Sequence, residues 1–211
     1  MFTRIRPTAG AADLDGLAPM VRQQTRGVAL LAGLTLASAL WGSACARADV
    51  DAVVTGELTW GDCRSGAWTW EPSFAALNLL DDGSALLRFQ SSPGGLDRDD
   101  YITFLIRDYA ELAEDGFPLE VEVVGASPDV FRAATASMAL TESCPEERDL
   151  PVDITGTLRL DEVDTGRRGE VAGAFVIAIT GSNPPQPVIS TALNGSFRFD
   201  FRDDPPYSTL R

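Results

Sequence analysis

The chain has 211 residues, of which 45% are apolar, and its 31 acidic residues face 17 basic ones, all arginine. This length and composition suit a single folded domain, and the formal net charge of −14 argues against nucleic acid or an anionic lipid surface as a partner. Because the chain has no histidine and no lysine, it lacks the residues for a Ser-His-Asp triad, a histidine-ligated metal site or a Schiff base.

The N-terminal region has the order of a secretory signal. Arg22 and Arg26 precede an uncharged apolar run over residues 28–41, and small residues follow it. This order predicts a signal peptide region over residues 1–48 that is cleaved on export. Met20 begins a leader of normal proportions, so it is an alternative start of translation.

A Ser-Ala-Cys sequence ends at Cys45, directly after the apolar run. It resembles the end of the lipobox of bacterial lipoproteins, although Gly42 stands where that family usually has Leu, Val or Ile. The resemblance implies that Cys45 carries a lipid, that this anchor is the only membrane attachment, and that the protein resides at the outer membrane or in the periplasm. Cleavage after Ala46 or Ala48 is the alternative, since both complete an A-x-A pattern, and it would give a secreted protein.

Cysteine usage supports export. Once Cys45 is lipidated or removed, Cys63 and Cys144 remain as one pair. In an oxidising compartment such a pair is expected to form a disulfide.

Four segments of the chain repeat apolar residues or glycine at every second position, which is the period of a half-buried strand. They are 54–60, 152–160, 171–179 and 193–201. Each contains a glycine, at positions 56, 156, 173 and 195, and a glycine inside a strand marks a bend or a bulky neighbour across the backbone. We expect sheet curvature with aromatic cover by residues such as Phe175 and Phe197, and the alternative is a ligand groove.

Five weaker strands complete the prediction, with a helical turn at 108–114. They are 75–80, 85–90, 101–107, 119–124 and 131–140. About nine short strands separated by Gly and Pro turns predict an all-β domain over residues 49–202, as an antiparallel β-sandwich or alternatively a β-barrel. Residues 203–211 are predicted to be an extended tail.

Three tryptophans form the first candidate site. Trp68 and Trp70 would share one face of a strand, and Trp60 is close in sequence. Such a platform can stack on sugar rings or contact a partner protein, or it can fill the core beside Cys63.

Two acidic loops are weak candidates for calcium, the one cofactor that this composition suggests. Their residues are Asp97, Asp99 and Asp100 in the first loop, and Asp161 and Asp164 in the second. Carboxylate oxygens suit calcium, but neither loop has EF-hand spacing, and solvated acidic turns are the alternative.

No catalytic residue is predicted from the sequence. We expect a non-enzymatic cell-envelope or secreted domain that binds a protein or a glycan. One alternative is a carbohydrate-active hydrolase with paired carboxylates, and another is a purely structural surface domain.

Overall fold

The computed structural model describes residues 50–93, 98–125, 131–147, 150–166, 169–181 and 187–201. All of them belong to one compact unit within Ala44–Arg211. The predicted signal region with Cys45 and Met20, the calcium candidate Asp97 and the predicted tail 203–211 lie outside the described residues.

The described chain consists of ten strands and one short helix. In chain order these are β1 Val50–Trp60, β2 Arg64–Trp70, β3 Phe74–Leu79, β4 Ala85–Gln90, β5 Asp100–Ile106, α1 Tyr109–Glu114, β6 Leu119–Val124, β7 Ala134–Leu140, β8 Val152–Val163, β9 Glu170–Gly181 and β10 Val188–Asp200. The nine predicted strands are present, and β2 is an additional one. Alternation does not reveal β2, because its first three residues, Arg64 to Gly66, include no apolar side chain and only Trp68 and Trp70 repeat at every second position.

The strands form one continuous sheet in the order β2-β1-β10-β9-β8-β6-β7-β5-β4-β3. The sheet curls into a half-barrel, which confirms the all-β prediction. Neighbouring strands are antiparallel except β6 and β7, which are parallel over Val123 and Val124. The concave face holds the apolar residues predicted by alternation. The other face carries polar residues on β8 and β10, whereas on β9 it carries Ala172, Ala174, Val176 and Ala178.

Glycines and phenylalanines alternate across the β9–β10 pair. Gly195 lies opposite Phe175, and Gly173 lies opposite Phe197. A Cβ atom at Gly195 would overlap the ring of Phe175, and one at Gly173 would overlap the ring of Phe197. Each ring therefore covers the glycine on the facing strand, which is the aromatic cover expected from the sequence.

Gly195→Ala is expected to lower the free energy of unfolding by about 1–3 kcal/mol, because the buried Phe175 ring must move to accept the new methyl group. Urea denaturation measures the change. Gly166→Ala is the matched control, since the nearest atoms there belong to the side chain of the exposed Asp164. Equal losses in the two variants would show that the Phe175 ring is not a constraint.

Candidate functional site

The three tryptophans face the interior of the half-barrel. Trp60 is fully buried and Trp68 is 4% exposed, while Trp70 is half-buried. Trp68 and Trp70 are stacked with ring centroids 5.9 Å apart and an interplanar angle of 11°. Trp60 Nε1 donates a hydrogen bond of 3.0 Å to the carbonyl oxygen of Glu147. In this arrangement the tryptophans fill the core, and only Trp70 keeps part of its surface accessible.

The predicted disulfide between Cys63 and Cys144 is present, with the two Cα atoms 5.8 Å apart. It joins the turn after β1 to the segment that follows β7. The Glu147 carboxylate strengthens this connection by accepting hydrogen bonds from the backbone N–H groups of Asp62 (2.9 Å) and Cys63 (3.1 Å). Two distant parts of the chain are thus joined covalently and by charge-assisted hydrogen bonds.

In the first acidic loop, Asp100 is 3% exposed and holds the turn that leads to Cys144. Its carboxylate accepts hydrogen bonds from the N–H groups of Glu142 (2.8 Å) and Ser143 (2.9 Å), and from the Ser143 hydroxyl. Asp99, also buried, accepts a hydrogen bond of 2.8 Å from the Ser92 hydroxyl. Both carboxylates are therefore engaged by protein donors.

In the second acidic loop, Asp161 forms an exposed ion pair of 2.7 Å with Arg159, and Asp164 accepts a hydrogen bond of 2.8 Å from the N–H of Gly166. The structure does not bring these two carboxylates together with Asp99 or Asp100. Within the described residues there is no group of three or more His, Cys, Asp or Glu side chains suited to a metal ion.

A surface cavity of about 850 Å³ lies at one end of the sheet, and we call it the edge groove. Three parts of the chain line it: the start of β1, the loop between β2 and β3, and the paired ends of β9 and β10. The lining residues are Val50, Asp51, Ala52, Val53, Glu71, Pro72, Ser73, Glu170, Arg198, Phe199 and Asp200. Of these, Phe199 comes from the buried core and the acidic residues are exposed or half-buried.

The edge groove contains a strand edge without a described partner. Residues 50–53 of β1 pair with β10 through registers such as Val50 opposite Phe199. On the other side of β1, the ladder with β2 begins only at Val54, which lies opposite Trp70. Within the described chain, residues 50–53 therefore have backbone groups free on one side, and we call them the free edge.

The charge of the edge groove is strongly unbalanced. Asp51, Glu71, Glu170 and Asp200 surround a single cation, Arg198, which gives the lining a formal net charge of −3. Arg198 forms an ion pair with Glu170 and lies directly opposite Asp51 in the β1–β10 ladder. Asp200 lies directly opposite Glu170, and like charges in directly opposite positions destabilise a strand pair.

A buried arginine lies on β4, on the strand face opposite Leu87 and Phe89, and its neighbour Phe74 packs against Val50 of the edge groove. Arg88 is 4% exposed, its guanidinium stacks 4.7 Å from the centre of the Phe74 ring, and its Nε has no hydrogen-bond partner. Burial lowers the pKa of Arg88 to about 10, while the Asp99 carboxylate opposes this shift. The lowered pKa means that the charge costs the folded state free energy below pH 10, and the cost falls as the pH rises further.

Arg88→Met is therefore expected to raise the free energy of unfolding by about 1 kcal/mol at neutral pH, because it removes a buried charge and keeps the apolar contact with Phe74. The gain should shrink above pH 10. Chemical denaturation at neutral pH and above pH 10 measures the gain and its decrease. Arg159→Met is an exposed control that should change stability little. A loss of stability in Arg88→Met but not in Arg159→Met would show that favourable interactions of Arg88 in the folded state outweigh the cost of burying its charge.

No helix in the described part of the chain is long and apolar enough to cross a membrane. A scan against protein-family models, a search of curated proteins and a search of solved structures each found no match to this chain. The function proposed below therefore rests on the residues and the geometry alone.

The sequence did not single out the edge groove. Its acidic residues are four among 31 in the chain, so composition could not distinguish them. A signal was present in the alternation itself, which places Val50 and Ala52 on the face of Val54 and thus extends β1 before residue 54. The length of β2, which determines where the free edge begins, could not be read from the sequence.

Proposed function

We propose that this chain is the precursor of an exported, non-enzymatic envelope protein that binds a polypeptide partner in the edge groove. The observation that carries the proposal is the coincidence of a free strand edge with the cavity lined by Val50 and Val53. An unpaired strand edge offers N–H and C=O groups in a row, and an extended segment of another protein can add to it as a further strand.

The position of the tryptophans favours a protein partner over a glycan. Sugar-binding platforms need an accessible ring face, whereas Trp60 and Trp68 are buried. Carbohydrate hydrolysis is disfavoured for a related reason: the acid of a glycosidase pair is typically held in an apolar pocket, and Asp51, Glu71 and Asp200 are exposed.

Export and lipidation remain part of the proposal, and they would place the edge groove close to a membrane. Cys45 precedes Val50 by five residues, and five extended residues reach at most about 18 Å. A lipid on Cys45 would therefore hold the free edge within reach of proteins that project from the same membrane. Cleavage after Ala46 or Ala48 would instead release the same binding domain as a secreted protein.

Intact-mass measurement of the protein purified from a bacterial membrane fraction tests the anchor. We expect a mature form that begins at Cys45, heavier by a diacylglyceryl group. A soluble form that begins near Asp49 would overturn the anchor and leave the binding proposal to be tested by itself.

Site-specific photo-crosslinking tests binding. A photoreactive amino acid at Val53, in the edge groove, is expected to attach a protease-sensitive partner in the envelope. The same amino acid at Thr155, an exposed position on the convex face of β8, should not. Attachment of protease-resistant glycan at Val53, or equal labelling at both positions, would contradict the proposal.

A further inference from the structure

The free edge is one of several strand edges without a ladder partner in the described sheet, and residues 136–140 of β7, beyond its short ladder with β6, form another. The terminal strands of the sheet are β2 and β3. β3 is buried from Phe74 to Asn78, so its edge is covered. β2, the other terminal strand, pairs with β1 in an uninterrupted register and contains Gly66 at a φ of +116°. Residues 50–53 are distinguished from the other unpaired edges because they border the acidic cavity, and this is where we expect strand addition.

The two faces of the free edge differ in chemistry. Val50 and Ala52 point to the concave side and pack against the apolar core. Asp51 and Val53 point to the convex side, where Asp51 is exposed and lies near Asp200 at the end of β10. Because side chains alternate along a strand, an added strand would meet apolar groups on one face and carboxylates on the other.

We infer, on the basis of the proposed function, that the partner segment is a basic extended peptide in which Lys or Arg alternates with apolar residues. Charge complementarity favours a basic partner, since Arg198 forms its ion pair with Glu170, whereas Asp51, Glu71 and Asp200 have no ion pair among the described residues. The Lys or Arg side chains of the bound peptide would also reduce the repulsion between the Asp200 and Glu170 carboxylates. Apolar residues of the segment would cover Val50 and Ala52.

Synthetic peptides test the charge of the partner. Fluorescence anisotropy with the protein purified from the envelope is expected to show binding of a labelled alternating Lys-Val peptide and at least tenfold weaker binding of the Glu-Val counterpart. Asp51→Asn combined with Asp200→Asn should weaken Lys-Val binding about tenfold, and raising the salt concentration should weaken it further. Glu120→Gln with Glu122→Gln, two exposed carboxylates on β6, is the matched control and should leave binding unchanged.

N-methylated peptides test strand addition without altering the protein. Methylation of alternate N–H groups blocks one edge of the peptide, so one of the two methylation patterns should abolish binding and the other should preserve it. Equal binding of both patterns would overturn strand addition at the free edge.

The outcomes separate this inference from the proposed function. If photo-crosslinking at Val53 yields a polypeptide but the Lys-Val and Glu-Val peptides bind equally, the basic partner is wrong and the binding function stands. If Val53 attaches no polypeptide and neither peptide binds, both the proposed function and this inference are overturned.

Discussion

Replacing Cys63 and Cys144 together by serine is expected to lower the free energy of unfolding by up to about 4.5 kcal/mol, the chain-entropy value for closing a loop of 81 residues. This is a large part of the stability of an ordinary domain, which is about 5–15 kcal/mol. Equilibrium denaturation of the double variant and of the oxidised wild-type protein measures the difference.

Reduction provides the control for the disulfide variant. A neutral dithiol should move the unfolding curve of the wild-type protein towards that of the variant and leave the variant unchanged. A loss below about 1 kcal/mol in the double variant would contradict the prediction. It would mean that the unfolded chain keeps contacts that already restrain the loop in the absence of the bond.

Phe89→Ala is expected to lower the free energy of unfolding by about 3–5 kcal/mol. Phe89 is 1% exposed, and its ring centroid lies 5.0 Å from that of Phe197, 6.0 Å from that of Phe175 and 6.4 Å from that of Phe199. It comes from β4, whereas its three neighbours come from β9 and β10. Truncation would leave a cavity where the two halves of the curled sheet meet, and urea denaturation measures the cost.

Phe131→Ala is the matched control for the core substitution. Phe131 is 83% exposed, so the same chemical change should alter stability by less than about 0.5 kcal/mol. Similar losses in the two variants would contradict the packing role of Phe89. A selective loss in Phe89→Ala would place the main junction of the half-barrel at this aromatic group.

The position of Asp100 explains why two acidic loops of similar composition differ. Asp100 opens β5, directly opposite Leu140 at the end of β7, so its carboxylate reaches the N–H groups of the turn that carries Cys144. Asp161 lies on an exposed face of β8 beside Arg159. From composition alone, both loops were calcium candidates. The hydrogen bonds that Asp100 accepts could not be predicted, because they depend on pairing with a strand that is 40 residues away in the chain.

Alternation was the most informative property of the sequence. Segments such as 152–160 and 193–201 repeat apolar residues at every second position, and a helix would scatter them around its axis, so strands were the only regular structure that could bury them. The disulfide could also be predicted from the sequence, because a chain whose Cys45 is lipidated or cleaved off keeps a single pair of cysteines. Both predictions depend on local pattern or on counting.

Strand β2 was missed for a physical reason. Its sequence places Gly66 before Trp68 and Trp70, and these residues are compatible with a loop, a core plug or a surface platform. Only pairing with β1, which sets Trp68 opposite Gly56, assigns them to the interior. The same pairing leaves residues 50–53 without a partner on that side.

By itself the sequence determined the all-β class, the residues that face the core, the acidic surface and the cysteine pair, because each follows from composition or from a period of two along the chain. The edge groove was decided only by tertiary structure. It is assembled from β1, the loop at Glu71, and the ends of β9 and β10, which are up to 150 residues apart. Their register is set by which strands become neighbours in the curled sheet, and no local pattern in any one of these segments specifies its neighbours.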